Sequence, residues 1–473
     1  MAEVYTEPTP SAFGPRPTDP GTPVPLDGDG TTTLDGIAAA FSRENYVAGA
    51  ASAASAASGR GAHTARGAHR AADPTHASQA GHPVNAGSPI LSVRSIEKVF
   101  GSRDSVTHAL AGVSFDVAAG ESASFEVDWP VDDYRSNAEE LVLEVSQQLG
   151  NACDWAPAGY ELAFGQCVVA GAKTTVDAVD AAGAPADGTV TLGRWNAGVR
   201  GQGREALFSR TQGGMVSYTF GEREFVLRRP SITTFRPLTD NDRGAGHAFE
   251  RAAWAVAGKY ARCVDCAITN RGENAVEATY TYELAIPQRT KVTVRYVADT
   301  AGLVSLDVEY PGEKNGDLPT IPAFGIEWAL PVEYANLRFY GAGPEETYAD
   351  RRHAKLGVWS TTAGDDCAPY LLPQETGNHE DVRWAEITDD SGHGVRVKHT
   401  VKPFAMSLLP YSSTMLEEAL HQDELPKPRH MFLRLLAAQM GVGGDDSWMS
   451  PVHEQYQLPA DQPLSLNVQL KLF

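Results

Sequence analysis

Close to one end the chain reads Met440-Gly441-Val442-Gly443-Gly444-Asp445-Asp446-Ser447-Trp448, and these residue types suit the binding of a sugar. Glycines at 441, 443 and 444 admit backbone conformations that residues with side chains avoid. The carboxylates and hydroxyl that follow can then accept hydrogen bonds from the freed amides. Such a turn is rigid, and it ends on an indole. A tryptophan at the tip of a fixed loop offers a flat apolar face with one N–H donor, which fits the C–H face of a sugar ring. The same residues also suit a tight turn that leads a tryptophan into the core.

Three further stretches gather more convergent polar and aromatic groups than a core needs: residues 236–244, 341–351 and 373–384. Each has turn chemistry at its centre and lies between strand-like runs, which places it on the rim of a sandwich. Carboxylates, amides and aromatics together suit a polyhydroxylated ligand. Surface turns braced by rim ion pairs, such as Asp350 with Arg352 or Asp381 with Arg383, account for the same composition.

The elements that must hold these loops are strands. From Gly188 to Phe473 apolar residues alternate with polar ones in short runs, with almost no helical spacing. Residues 215–227 read as a hairpin about Gly221-Glu222. Val292, Val294 and Tyr296 turn at residues 299–302 and return as Val304, Leu306, Val308 and Tyr310. Leu464, Leu466, Val468, Leu470 and Leu472 line one face of a last strand, and only residues 413–424 have helical spacing. So many strands in one unit predict a large two-sheet antiparallel sandwich over residues 188–473. Before it, alternation at Val113, Phe115 and Val117, at Phe125 and Val127, and at Leu141, Leu143 and Val145 predicts a small β-sandwich over 88–176, closing near Cys167. An Ala-, Gly- and Asp-rich linker at 177–187 separates the two. Residues 1–87 carry too few large apolar groups to offset their ordering entropy and read as a disordered tail, with one short helix at 34–46.

With 39 Lys plus Arg against 60 Asp plus Glu, the chain of 473 residues carries a formal charge of −21, and it has no basic block to meet phosphates. Nucleic acid and anionic membrane are not expected partners. The start lacks the pattern of a signal peptide and no apolar run reaches membrane-spanning length, so a cytoplasmic protein is expected. Five cysteines at scattered positions fit a reducing compartment. Cys263 and Cys266 form a CxxC without a second pair at zinc-site spacing, in a strand-like segment, and read as core or edge thiols. His63, His69, His76 and His82 are spaced irregularly in the tail and make poor metal ligands.

Residues 236–244, 341–351, 373–384 and 440–448 occur in the order, and roughly at the spacing, of the C-terminal domain of β-galactosidases of glycoside hydrolase family two. Four motifs in register make this resemblance specific. Residues 141–164, with Asn151-Ala152-Cys153-Asp154-Trp155, also resemble the end of the sandwich that precedes that domain. The resemblance covers residues 141–473 well and 89–140 poorly. The strand at 432–439 departs from the pattern in lacking the polar residue expected near its middle, and the N-terminal tail has no counterpart.

What the resemblance implies is an all-β chain, a small immunoglobulin-like sandwich followed by a large galactose mutarotase-like supersandwich. It also implies an active site built mainly on a TIM barrel that carries both catalytic glutamates. Retaining glycosidases need two carboxyl groups about 5–5.5 Å apart, and the barrel that would bear them, about 250 residues of alternating strands and helices, has no counterpart before residue 89. The chain therefore resembles the small subunit, or the C-terminal portion, of a β-galactosidase. It would have no catalytic residue, metal or cofactor of its own, and any divalent or sodium ion would belong to the partner barrel. Its partners would be a barrel-bearing large subunit and a β-galactoside such as lactose. By the same resemblance Trp448 would be the sugar platform and Gly244, with the loop after it, the mobile flap near the pocket, with Asp446 and Asp242 as further substrate-binding residues. Two other readings stand beside this one. The sandwich could bind carbohydrate without chemistry, or it could be an aldose mutarotase with His353, His379 and Glu375 as acid and base.

Overall fold

A computed structural model describes residues 140–170 and 187–473, together with the backbone of four short strands, Pro89–Val93, Lys98–Gly101, Val106–Leu110 and Phe115–Ala118. The tail at 1–87 with its helix at 34–46, the strand expected around Phe125 and Val127, and linker residues 177–186 lie outside the described residues. The chain divides into two compact units, Met1–Lys173 and Thr174–Phe473.

In the first unit the described strands pair antiparallel: Pro89–Val93 with Phe115–Ala118, Lys98–Gly101 with Val106–Leu110, and Leu141–Gln148 with Glu161–Ala170. Leu141, Leu143 and Val168 are buried, so the alternation in the third pair gives it one apolar face. Trp155 stands exposed at the tip of that pair, edge-on to Tyr160 with ring centroids 5.6 Å apart.

The second unit is built from three antiparallel sheets. A five-stranded meander runs from Thr189–Leu192 to Arg223–Glu224. A nine-stranded sheet has Arg262–Arg271 at one edge and Lys355–Thr362 at the other, with Leu464–Leu472 in its middle between Leu303–Tyr310 and Gly394–His399. A second five-stranded sheet takes the order Arg228–Thr233, Ala323–Pro331, His430–Gln439, Phe404–Leu409, His379–Val382. Both smaller sheets pack on the large one around a single core. Phe208 of the meander meets Tyr296 of the large sheet at 5.3 Å, and Phe324 of the second five-stranded sheet meets Tyr310 at 5.5 Å.

The two hairpins and the last strand follow the alternation read from the sequence. Cys263 and Cys266 lie on the edge strand, where a bulge between Cys263 and Asp265 sets them opposite the buried Tyr282 and Tyr280, and burial raises both thiols. All five cysteines are free, as plain core and edge thiols should be.

The structure corrects the expectation of almost no helix between residues 233 and 262. Three short helices stand there: α1 (Asp240–Gly244), α2 (His247–Glu250) and α3 (Ala252–Ala257). Each is little more than one turn, too short for a 3.6-residue period to repeat, and α1 is nucleated by a capping box between Thr239 and Asp242. The helix expected over 413–424 is α4 (Ser413–Glu418), capped by Ser412, followed by a separate 3-10 turn at Gln422–Glu424.

Candidate functional site

Hydrogen bonds join the four polar segments beside the second five-stranded sheet, on whose outer face Glu375 bonds Arg434, while residues 341–343 and Trp384 belong to the nine-stranded sheet. In this sheet Ile326, Leu433, Leu435, Met406 and Leu408 face inward. The alternate positions carry Glu327, Arg434 and Ser407, which are neighbours in register. Residues 366–378, α1, α4 and the loop after Gln439 form a layer over that polar row.

The strand His430–Gln439 leads into the glycine-rich loop. Amides of Val442 and Gly443 donate to the two carboxylate oxygens of Asp350, at 3.0 and 2.8 Å. One oxygen of Asp446 accepts from the amides of Trp448, Met449 and Ser450, at 3.0, 2.8 and 2.9 Å. These amides, that of Ser450 foremost, hold the Asp446 carboxyl well below the usual carboxylate range. Asp445 turns instead to His453, at 2.8 Å. The glycines are needed for a different reason than the sequence suggested: none of Gly441, Gly443 and Gly444 has positive φ. A Cβ at Gly441 would strike the Asp350 carboxylate, and one at Gly444 would strike the backbone of Ser450. Trp448 is 62% exposed, so the core alternative for this residue fails.

Segment 236–244 grips the same loop. Arg236, fully buried, donates to the Gly441 carbonyl at 2.7 Å and pairs with Asp242 at 2.8 Å. Asn241 donates through Nδ2 to the carbonyls of Asp446 and Ser450, at 2.8 and 2.9 Å. A Cβ on Gly244 would run into the Trp448 carbonyl oxygen, so α1 lies directly on the backbone of the tryptophan turn. Two expectations change here. Asp242 does not face a ligand: it is 2% exposed, accepts from Thr239, and lies among Arg236, His247 at 3.5 Å and Arg251 at 3.7 Å. Burial alone would raise its pKa, but Arg236, His247, Thr239 and Arg251 outweigh burial and hold it far below the ordinary value. The residues after Gly244, read as a flap loop, are α2 and α3.

The other two segments are spent in the same way. Glu346 accepts from Arg351 at 2.7 Å, from the Gly377 amide at 2.8 Å, and from Tyr348, Tyr370 and Thr376 at 3.2–3.3 Å. Asn378 and Thr347 exchange two hydrogen bonds. Gln374 exchanges two with Asp240, both at 3.2 Å. Glu375 is buried and receives both outer nitrogens of Arg434, at 2.6 and 3.0 Å, and Gln439 at 2.9 Å. The strand that seemed to lack a polar residue is thus served by Arg434 and Gln439. A lone charge between Leu433 and Leu435 is the signal that could have found this pair, because a buried arginine requires a carboxylate. Asp381 and Arg383 do make a rim pair, at 3.8 Å. The mutarotase roles are not available: Glu375 is consumed by Arg434, and His379 is fully buried against Phe339 with Nε2 on Asp366 at 2.9 Å.

Facing outward, the loop exposes Trp448 and Met449 beside the charged Asp445 and Asp446. A shallow cavity of about 300 Å³ opens beside it, lined by Asp350, Arg351, Gly443, Asp445, His453 and Tyr456, and Trp448 is not among its walls. On the edge strand His379–Val382, desolvation lifts Glu380 to about 7 against the opposing charge of Arg352.

The family described as β-galactosidase small chain matches residues 200–470, and that described as β-galactosidase, domain 4, matches residues 99–170. The β-galactosidase BgaC of Bifidobacterium adolescentis is 98% identical over 361 residues, 76% of this chain and 34% of that protein. A β-galactosidase of Streptococcus thermophilus is 38% identical over 76% of this chain and 34% of its own length. This chain thus spans about a third of these relatives. A β-galactosidase small subunit of Latilactobacillus sakei is 32% identical over 58% of this chain and 93% of its own length. The chain belongs to the β-galactosidase small chain family.

Proposed function

We propose that this chain is the small subunit, or the C-terminal portion, of a retaining β-galactosidase whose catalytic barrel lies on another stretch of polypeptide. The observation that carries the reading is the match to nearly the whole of a protein named as a β-galactosidase small subunit, 93% of its length. The geometry adds a role: a loop clamped on three sides by Asp350, Arg236 and Asn241 presents an exposed indole. Trp448 stacks on the apolar face of a β-galactoside such as lactose, while the barrel supplies the nucleophile, the acid/base carboxyl and any divalent or sodium ion. Asp446 and Gly244 act on the sugar through Trp448, by fixing its turn, and Asp242 acts one step further back, by fixing α1. Free cysteines throughout fit work in the cytoplasm.

The test is hydrolysis of a chromogenic β-galactoside. The purified chain alone should be inactive, and addition of a barrel-bearing chain should give turnover. Hydrolysis by this chain alone, persisting after removal of host enzyme, refutes the assignment.

A further inference from the structure

The loop layer is polar where its segments meet, and on its outer side, among charged groups such as Glu250, His421 and Asp445, it exposes large apolar side chains. Leu371 is 91% exposed, Phe249 on α2 is 90% exposed, and Leu420, just past α4, is 64% exposed. The hydrogen bonds of the layer tie together the segments that carry them. The carbonyl of Tyr370, next to Leu371, accepts from Gln422, next but one to Leu420, at 2.5 Å. On the other side the carbonyl of Leu372 accepts from Gln374 at 3.4 Å, and Gln374 bonds Asp240 at the start of α1, which α2 follows. Trp448 and Met449 stand exposed in the same layer, with Gly244 packed on their backbone. Large apolar side chains this exposed, on segments that hydrogen bonds hold together, are what an interaction surface needs.

Resting on the subunit reading above, we propose that Phe249, Leu371 and Leu420 are the anchors by which the loop layer docks on the barrel-bearing chain. Two observations select this occupant. The chain spans 34% of its long relatives, so most of their polypeptide lies outside it and has to meet it. The indole assigned to the sugar projects from this same layer, so the surface that meets the barrel includes the ground around Trp448. A stable pair buries about 800 Å² on each partner. That is more than three side chains supply, and exposed polar groups around them, Glu250 and His421 among them, make up the polar rim.

The experiment is calorimetric titration of the full chain with the part of BgaC that lies outside its match to this chain, expressed separately and first shown to melt cooperatively. Wild-type chain should bind. The triple variant Phe249→Ser, Leu371→Ser, Leu420→Ser should bind at least about 100-fold more weakly, because truncated anchors lose roughly tenfold each. Its thermal midpoint should stay unchanged, since the three side chains are exposed. The control carries Trp195→Ser and Val401→Ser, which are 59% and 71% exposed in turns outside this layer, and should bind within about threefold of wild type. A triple variant that binds like wild type, or a control that loses as much, overturns the docking assignment alone. Wild-type chain that fails to bind refutes the subunit reading and the docking assignment together, and that result is seen before any variant is made.

Discussion

Arg295 and Arg434 are both arginines within antiparallel strands, each beside two carboxylates, on two sheet faces with different fates. Arg295 lies on the outer face of the nine-stranded sheet, one-third exposed, with Glu277 at 2.9 Å and Asp307 at 3.1 Å on neighbouring strands. Arg434 lies on the outer face of the smaller sheet, 2% exposed, opposite Glu327 in register and bonded twice to Glu375. The first pairs in water, and the second is roofed by the loop layer. Identical residue types therefore decorate one face and build a site on the other, and the roof makes the difference.

The largest effect should come from removing the roofed charge. Arg434→Ala leaves the buried Glu375 without its counter-charge and should cost about 3–5 kcal/mol in urea unfolding. A loss below about 1 kcal/mol would show that the layer admits water.

Glu380, half-buried on the edge strand of the same sheet, sharpens the comparison through pH. Its carboxyl titrates at about 7 when folded and near 4.3 when unfolded. Between those values the folded chain holds a proton that the unfolded chain has released, so its contribution to stability falls as pH rises across the window, by up to about 3 kcal/mol. Glu380→Gln should abolish that slope. The variant should melt above wild type at pH 8, with the gap closing toward pH 5, and a constant gap would contradict the assignment.

A smaller effect tests the clamp itself. Asn241→Asp removes a donor and sets a carboxylate against two carbonyls, at a cost of about 1–2 kcal/mol. The signature is local: hydrogen exchange at residues 446–450 should accelerate while strand amides stay protected. Uniform acceleration would mean global loosening instead. The smallest effect belongs to the open face, where Arg295→Ala should cost less than about 1 kcal/mol.

The sheets were legible in the sequence because period-two alternation is repeated along each strand, as in Leu464 to Leu472. The short helices were not, because one turn repeats no period, and only the Thr239–Asp242 spacing marked α1. The four loop segments were identified from composition, yet their chemistry was read outward when most of it points inward. Asp242 and Glu375 are carboxylates that look ligand-ready on paper, and only the approach of Arg236 and Arg434 from distant strands reveals them as braces. Glycines 441 and 444 were correctly singled out for the wrong reason, since close approach of Asp350 and Ser450 cannot be read from local sequence.

The central claim is that the layer exists to hold one indole in place for a galactoside. Trp448→Ala, assayed in the chain assembled with a barrel-bearing partner, tests it most directly. Because Trp448 is exposed, the isolated variant should melt within about a degree of wild type, where a core tryptophan would cost about 3–5 kcal/mol. Loss of stacking worth about 1–3 kcal/mol should raise KM for a β-galactoside by roughly 5- to 150-fold with turnover little reduced. An unchanged KM and kcat in a fully assembled enzyme would contradict the account.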